Sequence, residues 1–187
     1  MIGLKSQFLE KSLMLKALLF LLLACAVYAN NGWNELHYGV YEANTNKVET
    51  SLKEFDIDST TSAGLSSLHI AVKKRDLKMV QFLISKDANI DAQDNKGFSV
   101  LYYCVLQNNL LIAAYLLQQG ANPNLQNHIK NAPIHNIAHN NRFEMLELFL
   151  KFGVDVNASN QHGMKAYHFA QNKGNTAMML ELLKYKR

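Results

Sequence analysis

This sequence of 187 residues lacks most signatures of catalysis and of nucleic-acid binding. It has no glycine-rich phosphate loop, no nucleophile elbow, no paired carboxylates on a common face and no H-E-x-x-H. Charged residues make up only 18%, and the formal net charge is +4. Part of that excess sits in residues 1–29, which hold Lys5, Lys11, Lys16 and Glu10, so the remainder carries 16 basic and 14 acidic side chains. So slight an imbalance is no nucleic-acid signature. There are two cysteines, Cys25 and Cys104, and a chain cut after residue 25 keeps one thiol and no internal disulfide.

What is present begins with a leader. Lys5, Lys11 and Lys16 form a positive region ahead of an eleven-residue apolar run from Ala17 to Val27, too short to span a bilayer comfortably. Val27 and Ala29 then place small side chains for cleavage before Asn30, so residues 1–29 read as a secretory signal peptide. Met14 opens a more compact signal of its own. A second reading stands beside the first, because Leu22-Leu23-Ala24-Cys25 resembles a bacterial lipobox, in which Cys25 would carry a lipid anchor.

The rest of the chain, 49% hydrophobic overall and sufficient for one domain, repeats itself. Leu36-His37, Leu68-His69, Leu101-Tyr102, Ile134-His135 and Tyr167-His168 are separated by 32, 33, 33 and 33 residues. Phe55-Asp56-Ile57-Asp58, Ala88-Asn89-Ile90-Asp91, Ala121-Asn122-Pro123-Asn124 and Val154-Asp155-Val156-Asn157 keep the same step. Each unit holds two short apolar patterns of helical spacing, such as Leu68/Ala71/Val72 and Met79/Val80/Leu83/Ile84, and neither is long enough to stand alone in water. A stack of units solves that problem. Asn34, Ser66 and Ser99 sit where helix amino caps are wanted, Pro133 suits a first turn, and Gly32, Gly64, Gly97 and Gly163 mark turns, with Lys130 as the one substitution. Ala71, Cys104 and Ala138 are small enough for neighbouring helices to approach.

Gly64 to Ala92, and Ala132-Pro133-Ile134-His135 in place of T-P-L-H, resemble the ankyrin repeat family over residues 31–187. The resemblance implies an all-α solenoid of five helix-turn-helix units with hairpin loops, at about 31–60, 61–93, 94–126, 127–159 and 160–187. The sparse second helix of unit 1 and the altered Lys165-Ala166-Tyr167 of unit 5 read as capping repeats. The family also implies a non-enzymatic module that binds a protein through a concave face, as a monomer, with no cofactor and no metal. His135 and His139 have the four-residue spacing of zinc ligands but lack the glutamate, and the resemblance makes His135 a structural histidine. Cys104 takes a small-residue slot and reads as a buried thiol, while Met79, Met145 and Met178 recur at one core position.

The same resemblance locates the binding surface. Trp33, Leu65, Phe98 and Met164 follow the turn glycines and are expected to form an exposed apolar strip on the hairpin side of the groove, interrupted by Asn131. Hairpin tips Asp94-Asn95-Lys96, Asn127-His128 and Asn160-Gln161-His162 lie alongside, and the far ends of the first helices add Lys73, Lys74, Arg75, Asn108, His139 and Arg142. The partner-binding set is therefore Trp33, Leu65, Phe98, Met164, Asn95, Lys96, His128, His162, Lys74, Arg75, His139 and Arg142. Leader and repeats together imply an exported bacterial protein. It is expected to act as a periplasmic binding, inhibitor, immunity or assembly factor, or alternatively as a secreted effector that binds a host protein.

Overall fold

The computed structural model describes residues 31–185, a span built of ten helices with no strand among the described residues. The expected leader, its cleavage site after Ala29 and Cys25 lie outside the described residues. Each expected unit contributes one pair of helices. They are α1 (Glu35–Tyr41) and α2 (Thr45–Ser51), α3 (Ser67–Lys73) and α4 (Leu77–Ser85), α5 (Val100–Gln107) and α6 (Leu110–Gln118), α7 (Pro133–His139) and α8 (Phe143–Lys151), then α9 (Ala166–Asn172) and α10 (Thr176–Leu183). The longest of them have nine residues, well below the length at which a helix persists alone. Packing supplies the difference. The first helices form one row, each against the next from α1 to α9, and α4, α6 and α8 form a second row behind it.

Local chemistry sets the helix boundaries. Asn34, Ser66 and Ser99 accept the N–H of the third helical residue through their side-chain oxygens, and Asn44, Asp76 and Asn109 do the same for the second helices of units 1 to 3. Pro133 opens α7, where its missing N–H has no partner to lose. Between the two helices of each unit one residue turns into the left-handed region: Ala43, Arg75, Asn108, Asn141 and Gly174. Only the last is a glycine, so sequence alone did not flag this joint.

The core is one continuous ribbon. Leu36, Leu68, Leu101 and Ile134 are fully buried in successive first helices, backed by Met79, Val80, Leu83, Ile112, Leu116, Met145, Phe149, Met178 and Leu182. Small residues lie where helices meet most closely: a methyl added at Gly39 would fall 3.0 Å from the Val48 side chain, and Ala71 and Cys104 fill the equivalent slots, while in unit 4 that slot holds Ile137 and the small Ala138 falls one residue later, all of them buried. Cys104 is wholly buried, and burial raises its thiol pKa far above the usual range, which keeps it protonated.

Hairpins connect the units and stack on one another. Isolated bridges join Thr60 to Ser66, Gln93 to Ser99 and Ser159 to Lys165. Successive tips are then stitched by backbone bonds, the N–H of Ser62, Asn95, His128 and Gln161 donating to the carbonyls of Asn31, Ala63, Lys96 and Ile129. Asp94, Asn127 and Asn160, expected at variable surface tips, are instead buried anchors. Each side-chain Oδ1 accepts two N–H groups of its own turn, those of Lys96 and Phe98, Ile129 and Asn131, and His162 and Met164. The recurrent Asp/Asn pairs between units have an equivalent task, for Asp58, Asp91 and Asn124 accept the N–H of Asn89, Asn122 and Asp155 in the following unit at 2.7–2.9 Å.

Candidate functional site

The groove is assembled from the hairpins on one side and the first helices on the other. Histidines hold the two together. The Nδ1 of His69 accepts the Ser66 N–H at 3.2 Å and that of His135 accepts the Ala132 N–H at 3.0 Å, so in each ring the proton resides on Nε2. Nε2 then donates across the joint to a hairpin carbonyl of the next unit, Phe98 for His69 and Met164 for His135, both at 3.2 Å. In unit 1 the equivalent His37 donates to Ser59 at 2.9 Å. Burial lowers the pKa of all three below the ordinary 6.5, which keeps them neutral. With both nitrogens of His135 engaged, the His135/His139 pair has no shared metal-binding geometry.

The hairpin residues of the proposed strip do not stand free. Trp33, Leu65, Phe98 and Met164 are all half-buried. The Trp33 ring lies 5.2 Å from Tyr38 and 5.7 Å from Tyr41, and the Phe98 ring lies 4.7 Å from Tyr102 and 6.3 Å from Tyr103. An exposed strip was expected; all four residues are instead half-buried, and the two aromatic ones, Trp33 and Phe98, pack against rings of the first helices. Asn131 extends the row into unit 4, where its Oδ1 accepts from Asn160 Nδ2 at 3.0 Å.

Three of the twelve predicted residues come together around one cleft of about 280 Å³ between units 1 and 2. Trp33 and Leu65 descend from the hairpins, and Lys74 stands with Lys73 at the end of α3; Tyr41 and Ile70 complete the lining. Lys74 Nζ is 4.0 Å from the Tyr41 ring centroid, and Lys73 Nζ is 5.5 Å from that of Tyr103. Sequence reasoning missed Tyr41 and Ile70. The signal was there in the register, since Tyr41 aligns with Lys73 and Ile70 follows the structural histidine by one.

The remaining residues separate. Arg75 and Arg142 are committed to structure, their guanidinium groups donating to the Gln107 carbonyl at 2.5 Å and the Leu106 carbonyl at 3.2 Å. Gln107 Nε2 reciprocates to the Lys73 carbonyl at 2.9 Å, and Asn175 serves the carbonyls of Ala138 and His139. These side chains satisfy the orphan acceptors at the ends of the first helices. Asn95 donates to the Ser62 carbonyl at 2.8 Å, while Lys96, His128 and His162 are exposed along the hairpin tips. His139 is half-buried at the far end of α7, edge-on to Phe169 at 6.4 Å; burial and then the Lys173 charge lower its pKa.

Comparison with known families decides what this architecture is. A family model describing ankyrin repeats in three copies matches residues 14–127 and again residues 119–187. The chain belongs to the ankyrin-repeat family. No curated protein matches it. As an ankyrin-repeat protein it is an all-α repeat solenoid and a protein–protein interaction module. The cleft of Trp33, Tyr41, Leu65, Ile70, Lys73 and Lys74 lies where hairpins meet first helices. Among the described residues no helix is long and apolar enough to cross a membrane.

Proposed function

We infer that this ankyrin-repeat protein is an exported bacterial binding module that docks a partner protein on its concave face, in the periplasm, as an inhibitor, immunity or assembly factor. The observation that carries the concave face is the cleft between units 1 and 2, where apolar rings and two lysines converge on an otherwise rigid scaffold. Preorganisation is the mechanism: the hairpin ladder and histidine ties fix the groove before the partner arrives, so little ordering entropy is lost on binding. Export rests on the leader of residues 1–29.

Affinity capture from the native envelope fraction tests the face. The full chain, a first-helix variant (Leu106→Arg with His139→Glu) and a second-helix variant (Lys78→Glu with Leu111→Asp) are compared. Loss of capture with the first variant alone supports the concave face; loss with the second alone refutes it. Fractionation and amino-terminal sequencing test the location. A mature chain in the periplasm beginning at Asn30 supports periplasmic action, whereas recovery from medium or from host cells supports the effector alternative. A lipidated Cys25 at the new terminus would replace both with an anchored form.

A further inference from the structure

The cleft between units 1 and 2 has apolar walls, two ammonium groups on its rim and no carboxylate among its lining residues. Of the four lysines held over aromatic rings among the described residues, Lys47, Lys73, Lys74 and Lys86, only Lys73 and Lys74 make no ion pair. Lys47 lies 3.0 Å from Glu35, Lys86 lies 3.5 Å from Glu49 and Lys184 sits on Glu181, but among the described residues neither Lys73 nor Lys74 has a carboxylate within ion-pair distance. Each is held over an aromatic face, Lys74 over Tyr41 and Lys73 over Tyr103. A ring face orients an ammonium while leaving N–H donors free for an acceptor.

Those features select the occupant. A cationic guest is excluded, because the Tyr41 ring already carries Lys74 and a second positive charge would be repelled. A purely apolar guest would leave the two lysines unused, and a simple anion would leave the walls of Trp33, Leu65 and Ile70 unused. The volume, about 280 Å³, falls just below the range of about 300–1,000 Å³ that holds drug-sized ligands, and fits one large side chain. We propose that this cleft seats a bulky apolar side chain of a partner protein whose neighbours in the chain are Asp or Glu. The side chain packs among Trp33, Tyr41, Leu65 and Ile70, and the flanking carboxylates meet Lys73 and Lys74. This assignment rests on the concave face being the docking surface and names the partner chemistry that the face selects.

Selection of a displayed library of random twelve-residue peptides on the full chain tests it. The enriched sequences are expected to carry Leu, Ile, Met, Phe or Trp within two positions of an Asp or Glu, and to bind less tightly as salt rises. Lys73→Glu with Lys74→Glu should weaken them by at least about tenfold, and Leu65→Ala by about fivefold. Lys78→Glu, a single charge reversal on the exposed side of α4, should leave binding unchanged. Thermal unfolding of each variant checks that the fold persists, and the lysine variants are expected to unfold near the parent chain because Lys73, Lys74 and Lys78 are exposed. Enrichment of basic or uncharged peptides, no enrichment at all, or affinity that survives the double lysine reversal would overturn the proposal. Binding to vesicles of anionic lipid that the reversal abolishes, with no peptide enriched, would overturn it in favour of a lipid surface. Peptides lost only with Leu106→Arg and His139→Glu would sink this cleft while leaving the concave face standing; peptides indifferent to every substitution on that face would sink both.

Discussion

The joint between units 2 and 3 and the joint between units 3 and 4 do the same job with different chemistry. At the first, His69 donates to the Phe98 carbonyl of a hairpin that turns at Gly97, and Phe98 closes over Tyr102. At the second, all three features are replaced together. Tyr102 stands where the histidine belongs and turns its hydroxyl to Asn136, Lys130 occupies the glycine position at φ +58°, and Asn131 replaces the apolar residue and pairs with Asn160. Burial raises the Tyr102 hydroxyl pKa to about 12, so it remains neutral. The comparison teaches that the hairpin joint needs a satisfied polar contact between units, not a histidine as such. The apolar row breaks at unit 4 as well, where Asn131 pairs with Asn160 of unit 5, a contact that belongs to the next joint along.

Breaking the first joint gives the largest expected effect. His69→Ala strands the Ser66 N–H and the Phe98 carbonyl and opens a void in a fully buried site, and should lower unfolding free energy by about 2–4 kcal/mol in urea titration. A loss below that of Tyr102→Phe would erase the contrast between the joints. Gly97→Ala comes next. Its new methyl would lie 2.8 Å from the His128 ring and 2.9 Å from the His128 nitrogen, at a φ of +76° that disfavours any side chain, for a loss of about 2–3 kcal/mol.

Acidification separates the joints without mutation. His37, His69 and His135 have folded-state pKa values lowered from 6.5, so the unfolded chain binds more protons, and stability is lost as pH falls through 6.5 toward each folded value. Each histidine should contribute up to about 1.4 kcal/mol per pH unit in that window. His69→Gln should flatten the profile of unfolding free energy against pH, and Tyr102→Phe should leave its shape unchanged.

The second joint yields the small effects. Tyr102→Phe removes one hydrogen bond to Asn136 and nothing from the ring packing, an expected loss of about 1 kcal/mol. Lys130→Gly should reverse the sign and stabilise by about 0.5–1 kcal/mol, because it relieves a left-handed residue bearing a side chain. A destabilisation there would mean that the lysine side chain contributes a contact of its own.

Much of the scaffold was legible in the residues themselves. The period of 33, the caps Asn34, Ser66 and Ser99, Pro133, the small slots and the buried state of Cys104 all follow from local propensity and from the need of short amphipathic helices for neighbours. The binding face was legible only in outline. Trp33, Leu65 and Lys74 were marked, but Arg75 and Arg142 looked like surface charges and prove to be staples on helix carbonyls. Asp94, Asn127 and Asn160 looked like tips and prove to be buried anchors. The error has one cause: a repeat pattern specifies which positions are equivalent, not which polar side chain finds a partner in the adjoining unit.

The repeating sequence by itself determined the architecture, because each 33-residue unit encodes two helices too short to survive unstacked. Only the tertiary structure decided where the groove opens and what lines it. That choice depends on contacts between residues about thirty positions apart, such as Trp33, Leu65 and Lys74, which share no local periodicity and meet only when one unit is laid against the next.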